Sequence, residues 1–262
     1  DLRSAKRSLN LLFADWANRG LNQWTIEEVS ITLATAIREY PGGTLTMTVG
    51  SSTNFTVAET ITGGTSGATA SVTSKPSGTS LAITIPSGTF SNGETIIGAS
   101  SGASSTLGAT VDLSDVRSTI DVLSAVVTRD STDFEIQRVS RSSYLNIPNK
   151  AQSGRPNQFF LDRQITPVLK IWPAPDNDTD IVKFNRLTRI DDVDAYTNNA
   201  EVPFRFYPCL TAGLAYYLSM KRNPQLMGAL KTIYEEELQR ALDEDRDRAS
   251  LRISPSYETY RS

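Results

Sequence analysis

One stretch of the chain is written twice. Phe55-Thr56-Val57-Ala58-Glu59-Thr60-Ile61-Thr62-Gly63 returns as Phe90-Ser91-Asn92-Gly93-Glu94-Thr95-Ile96-Ile97-Gly98, and Ser66-Gly67-Ala68 returns as Ser101-Gly102-Ala103, at a constant offset of 35 residues. An alternating run precedes each copy, Leu45-Thr46-Met47-Thr48-Val49 and then Leu81-Ala82-Ile83-Thr84-Ile85. Alternation puts every second side chain on one face of a strand. A unit of two or three short strands with glycine-rich turns can hardly bury its own apolar face; two such units packed together can. Residues 42–112 are therefore expected to form a small all-β domain with a two-fold internal repeat. The segment is rich in Gly, Ser and Thr, and Lys75 is its only basic residue. It has Phe55 and Phe90 but no Trp and no Tyr, so an aromatic platform for sugars is not visible in it.

The flanks follow other periods. Leu2, Ala5, Leu9, Leu12, Phe13 and Trp16 share a face at helical spacing, which predicts a helix over residues 4–19, capped by Ser4 and stopped by Gly20. Arg3, Lys6 and Arg7 crowd its first turns against the helix dipole. They make either a solvated face or a contact for an acidic partner. Residues 24–37 alternate as a strand with one buried face, and strand character returns near 120–127, 134–139, 159–161, 168–172 and 181–187. Residues 140–145 suit a short helical turn. These strands read as an antiparallel β meander of about four or five, with the repeat inserted at an exposed hairpin tip.

Residues 202–248 read as two helices in series. Pro203 and Pro208 stand where a missing N–H costs little. Phe204, Tyr207, Leu210, Leu214, Tyr217 and Leu218 form one apolar stripe. Asn223-Pro224 breaks the run, and Leu226, Met227, Leu230, Ile233, Tyr234, Leu238 and Leu242 form a second. A helix over residues 224–248 would be about 36 Å long, and its far end, Asp243-Glu244-Asp245-Arg246-Asp247-Arg248, has no apolar face. A helix that outruns its core has solvent or another subunit beside it. Leu226, Leu230, Ile233, Tyr234, Leu238 and Leu242 are accordingly expected to pack between subunits. The expected fold is α+β: an N-terminal helix and a C-terminal helical pair packed with the meander (1–41 and 113–262), plus the inserted β domain (42–112).

Composition narrows the chemistry. There is no histidine, and Cys209 is the single cysteine. That removes Ser-His-Asp and Cys-His catalysis, His-based zinc sites and any disulfide within the chain. Cys209 lies in an apolar run and reads as a core residue. With 39% hydrophobic and 21% charged residues the chain reads as soluble and globular. No apolar run approaches the roughly 20 residues that span a bilayer, and the first residues lack the apolar block of a signal peptide. The net charge of −3 argues against phosphate affinity over the whole surface, though not against a local basic patch. Asp176-Asn177-Asp178-Thr179-Asp180 alternates like a calcium loop. Ile181 and Leu187 stand where an EF-hand needs Gly and Glu, so it reads as a turn. Arg138, Arg141, Lys150, Arg155 and Arg163 interleave with Tyr144, Phe159 and Phe160. That pattern serves nucleic acid or, the favoured reading, ion pairs within or between chains. No carboxylate pair, P-loop or dinucleotide fingerprint stands out, so no catalytic residue, cofactor or metal is expected.

Several blocks resemble a family in order along the chain. They are Ser8-Leu9-Asn10-Leu11-Leu12-Phe13-Ala14-Asp15-Trp16-Ala17-Asn18-Arg19-Gly20-Leu21-Asn22-Gln23-Trp24, then Arg138-Val139-Ser140-Arg141-Ser142-Ser143-Tyr144, Pro148-Asn149-Lys150, Gly154-Arg155-Pro156 and Trp172-Pro173-Ala174-Pro175. They close with Ala195-Tyr196-Thr197-Asn198-Asn199, Val202-Pro203-Phe204-Arg205 and Leu214-Ala215-Tyr216-Tyr217-Leu218. The chain resembles head-to-tail adaptors of short-tailed bacteriophages, the tail accessory or packaged-DNA stabilisation type. The repeat lies outside the pattern. The resemblance implies a virion protein of the phage neck, made in the host cytoplasm. It implies a ring, usually of twelve subunits, under the portal protein. Such a ring extends the channel for double-stranded DNA, helps retain it, and offers a platform to a tail nozzle or tube. It further implies that residues 249–262 bind the portal, with Leu251, Ile253, Tyr257, Tyr260 and Arg261 as contacts. No membrane partner is implied. The alternatives are a muralytic hydrolase of the virion using two carboxylates, and a host-glycan-binding decoration centred on 42–112.

Overall fold

The structure, a computed structural model, describes residues 2–109, 111–190 and 202–246. It opens on α1 (Leu2–Arg19), followed by β1 (Ile26–Thr32) and β2 (Glu39–Pro41). The repeat holds β3 (Thr46–Thr48), β4 (Thr60–Gly63), β5 (Thr69–Ser77), β6 (Ser80–Ile83), β7 (Thr95–Gly98) and β8 (Ser104–Thr106). Next come α2 (Ser114–Ser118), β9 (Thr119–Arg129), β10 (Thr132–Glu135), β11 (Gln137–Arg138), α3 (Arg141–Leu145), β12 (Gln158–Asp162), β13 (Val168–Trp172) and β14 (Ile181–Thr188). Two long helices follow, α4 (Tyr207–Arg222) and α5 (Met227–Glu244). The class is the α+β one expected: a helix at the N-terminus, a C-terminal helical pair, and antiparallel sheets. Contacts divide the chain into two compact units, Thr25–Arg189 and the described parts of Asp1–Trp24 with Ile190–Ser262.

In the β unit, the repeat makes one six-stranded sheet in the order β3-β6-β5-β4-β7-β8. Its two ends meet. Val49 bridges Leu107, Gly50 donates to the Thr106 carbonyl at 3.0 Å, and Gly108 donates to the Thr48 carbonyl at 2.8 Å. The sheet is therefore a closed barrel, with neither edge left unpaired. The alternating residues Leu45, Met47, Val49, Leu81 and Ile83 fill its core with Phe55, Phe90, Ile61 and Ile96. The halves join across β4 and β7, where Thr62 faces Ile97; these two positions are 35 residues apart, so the repeat's pseudo-two-fold axis passes between them.

That axis exchanges two glutamates. Glu59 accepts from Thr56 N–H in its own copy, and from Ser100 N–H, Ser101 N–H and the Ser101 hydroxyl in the other. Glu94 accepts from Ser91 N–H in its own copy, and from Thr65 N–H, Ser66 N–H and the Ser66 hydroxyl in the first. Burial pushes the Glu94 carboxyl up, but the donors from Ser66, Ser91 and Thr65 outweigh it and hold it down at about 2. Glu59 is lowered by the same balance. The repeated glycines serve these sites: a Cβ on Gly63 would lie 2.6 Å from a Glu94 oxygen, and one on Gly98 would lie 2.7 Å from a Glu59 oxygen.

The remaining strands form two four-stranded sheets, β1-β14-β9-β10 and β11-β12-β13-β2, which share one core through Val29, Val127, Phe184, Tyr40, Phe159 and Ile171. β11 lies parallel to β12, and the other pairings are antiparallel. The first strand pairs with the last along its whole length, from Ile26 opposite Leu187 to Thr32 opposite Ile181. A polar node ties the barrel's stem to this layer. Buried Arg186 on β14 donates to Asp115, Glu27 and the Thr119 hydroxyl, while Asp115 accepts from Thr44 N–H and hydroxyl. Gly43 leaves room for it, because a Cβ would stand 2.2 Å from the Arg186 guanidinium and 2.7 Å from an Asp115 oxygen and the node would have to shift.

In the helical unit, α1 starts at Leu2, so Ser4 lies inside the helix and does not cap it. Gly20, at φ +85°, ends it as expected. Leu21 N–H bonds back to the Trp16 carbonyl at 3.1 Å and Gly20 N–H to that of Ala17, the paired bonds of a Schellman stop. Buried Leu12, Phe13, Trp16 and Leu21 pack with Phe206, Cys209, Tyr234 and Leu238. The fully buried residues of α4 are Cys209, Gly213 and Ser219, while Leu210, Leu214 and Tyr217 of the expected stripe pack on the same core partly buried. Phe204 and Tyr207, placed on that stripe from spacing, are exposed. Gly213 sits at the contact: a Cβ there would lie 2.6 Å from Leu12 Cδ1 and 2.9 Å from Tyr234 Cε2. The helices can close up only where that side chain is missing.

Candidate assembly surface

α5 presents two faces of opposite character. Tyr234, Leu238 and Ala241, at three- and four-residue steps, are sealed against α1 and α4. The Tyr234 ring stacks on Tyr216, and its hydroxyl donates to Asp15 Oδ2 at 2.6 Å. Burial, and then that bond, raise the phenol above its ordinary range. Arg19 grips Glu235 with both terminal nitrogens, at 2.6 and 3.0 Å, and reaches Asp15 through Nε at 3.1 Å. Cys209 lies in the same core, where burial pushes its thiol up to about 12, so it stays protonated and unreactive.

Of the residues expected between subunits, Tyr234 and Leu238 are thus fully covered within the chain, and Leu242 packs partly on the same core. They leave little or no area for a neighbour. The other three do leave area. Leu226 is 53% exposed, Ile233 is 50% exposed and Leu230 is half-buried. Steps of four and three place them along one line of the helix. Met220, near the end of α4, and Met227, at the start of α5, are exposed too. The single expected stripe is therefore two, about a quarter-turn apart: one completes the bundle, the other is left to solvent.

The far end of α5 also differs from expectation. The helix stops at Glu244, and Asp245 turns back as a buried carboxylate. Its Oδ2 accepts from Asn22 N–H at 2.7 Å and Gln23 N–H at 3.1 Å. The acidic end of the helix does not outrun the core; one of its carboxylates clasps the segment after α1. No apolar periodicity signals such a contact. Leu251, Ile253, Tyr257, Tyr260 and Arg261, the expected portal contacts, lie outside the described residues.

The basic and aromatic cluster of the β unit is held largely by its own chain. Arg138 and Arg163 both pair with Asp121, and Arg141 pairs with Asp162 while lying over the Phe160 ring. Lys150 donates to the Leu145 and Ile147 carbonyls, and Arg155 stacks 3.7 Å from the Phe134 centroid. Among the described residues the carboxylate partners of these arginines are Asp121 and Asp162. The Asp-rich turn is occupied as well: fully buried Asp180 and neighbouring Asp176 bind Arg129, and Asp178 accepts from Thr35 N–H. Among the described residues no group of three or more His, Cys, Asp or Glu side chains is arranged to hold a metal. No described helix is long and apolar enough to cross a membrane. Phe55 and Phe90 are buried in the barrel, so neither offers a ring to a sugar.

No protein-family model matches the chain, and no curated protein matches its sequence.

Proposed function

We propose that this chain is a structural adaptor that assembles with copies of itself into a ring between the portal and the tail of a short-tailed phage. In this reading the ring continues the DNA channel and helps retain packaged DNA. The observation that carries the self-assembly is the second stripe of α5. Leu226, Leu230 and Ile233 lie at helical spacing along the start of α5, away from the face that packs on α1 and α4, and Met220 and Met227 are exposed as well. Such a surface on a folded unit marks an interaction site. The place in the neck rests on the resemblance of the sequence blocks, and so does the role of residues 249–262 as the portal-binding segment. Mass measurement of the full chain, alone and mixed with portal, tests both parts. A multi-subunit particle that joins the portal is expected, and removal of 249–262 should abolish joining while leaving the fold. A full chain that stays single in both settings overturns the proposal.

A further inference from the structure

The β unit guards its strand edges, with one exception. The barrel leaves none open, β11 has two residues, β2 has three with Pro41 at its end, and β10 has four. β1, the outer strand of its sheet, runs for seven residues without a Pro, a Lys or a bulge, the devices that blunt an edge. Leu33 N–H bonds to the Asp180 carbonyl at 2.8 Å, which fixes the phase of the ladder. Val29 and Ile31 therefore exchange bonds with β14, and Glu28, Ser30 and Thr32 turn their N–H and C=O groups away from it. None of those three makes a further backbone bond among the described residues. Glu28 and Ser30 are exposed.

A groove of about 290 Å³ flanks the same edge, lined by Ser30, Ile31 and Thr32 together with Leu45, Ala82 and Ile83 of the barrel. A strand laid along β1 would turn alternate side chains to the side of Ile31 and the groove, and the others to the face that carries Glu28. Glu28 has no ion pair among the described residues, so it favours a strand with a cation on that face. The chain contains such a segment. Ser250-Leu251-Arg252-Ile253-Ser254 alternates two aliphatic side chains with one guanidinium, and Pro255, which has no N–H, closes it. It lies outside the described residues, which end at Arg246.

We infer that residues 250–254 of one copy add as a strand to the open edge of β1 in a neighbouring copy, Leu251 and Ile253 toward the groove and Arg252 beside Glu28. In such an addition backbone bonds give the affinity and alternate side chains the selectivity. Edge and segment are unlike surfaces of one chain, so the contact is head-to-tail and passes from copy to copy round a ring. The inference rests on the ring-forming reading and names one contact of the ring; Tyr257, Tyr260 and Arg261 stay beyond the strand for the portal.

Two full-length variants test it by hydrogen exchange at the Glu28, Ser30 and Thr32 amides. Leu251→Asp/Ile253→Asp spoils the donor segment. Ser30→Pro spoils the acceptor edge, at an N–H that β14 does not use; Glu28→Arg replaces it if circular dichroism shows the proline variant unfolded. In the assembled wild type the three amides should exchange at least about tenfold more slowly than in the donor variant. Unlabelled acceptor variant, whose segment is intact, should restore that protection when added to isotope-labelled donor variant. Equal exchange in the assembled wild type and the donor variant overturns the inference while the ring stands. A mixture that restores no protection overturns it too, because the strand then comes from the same copy or not at all. A wild-type chain that stays single at every concentration overturns both proposals.

Discussion

The barrel and the helical bundle close their cores in opposite ways. The barrel answers every strand edge from within, and each copy of its repeat supplies the carboxylate that the other copy's loop requires. Ile97 is its one exposed large apolar side chain among the described residues. The bundle buries Tyr234, Leu238 and Ala241 of α5 and leaves Ile233 and the preceding Leu226 to solvent on another face. A sheet that curls onto itself has nothing left to pair, whereas three helices cannot cover one another all round. The barrel is finished by its own symmetry; the bundle leaves apolar side chains of its last helix uncovered.

The largest effect should separate the two faces of α5. Leu238→Ala opens a cavity in the sealed face and should cost about 3 kcal/mol or more of stability, read by chemical denaturation. Leu226→Ser with Ile233→Ser should leave stability within about 0.5 kcal/mol, as surface changes do, and act on assembled mass alone. A double substitution that unfolds the chain without changing its assembly would break the contrast.

Next come the exchanged glutamates. Glu94→Ala strands the donors of Thr65, Ser66 and Ser91, at a cost of about 2–3 kcal/mol. Glu59→Ala should cost a similar amount, and a loss at only one of them would deny the symmetry. The pH dependence has a definite sign. Glu94 titrates at about 2 when folded, against an ordinary 4.5, so its contribution is full above the ordinary value and fades as pH falls toward 2. The wild-type melting temperature should drop across that window, and Glu94→Gln should flatten the drop.

The smallest effect tests the copies against each other. Ala58 and Gly93 occupy equivalent positions, and both have positive φ, +66° and +77°. Glycine adopts that conformation freely and alanine does not. Ala58→Gly should therefore stabilise the barrel by up to about 1 kcal/mol, and Gly93→Ala should cost about as much, both measurable by calorimetry.

Much of the fold was legible where period and punctuation agree. The repeat's offset, the alternation before each copy and the glycine after Arg19 each carried a local rule into the structure. Ser140 likewise caps α3 by accepting from Ser143 N–H. What spacing could not convey was where the stripe begins. Leu210, Leu214 and Tyr217 of the expected stripe do reach the core, but Phe204 and Tyr207 are exposed and Phe206 and Cys209 are buried in their place, with Gly213 marking where the helices meet. The same blindness merged two stripes of α5 into one. Polar closures such as Asp245 on Asn22 and Gln23, or Arg186 on Asp115, join residues far apart in sequence and leave no periodic trace. The candidate surface was half legible in exposure alone: spacing grouped Leu226, Leu230 and Ile233, which keep area in solvent, with Tyr234 and Leu238, which are buried within the chain.

The crossed glutamates bear on heredity. A lesion in the loop at Thr65 and Ser66 harms the carboxylate of the other copy, not that of its own, so neither half can drift alone. Loss of one half would strand the survivor's carboxylate and its loop together. Duplication of this kind works as a ratchet: once the two halves came to depend on each other, a return to a single unit was closed.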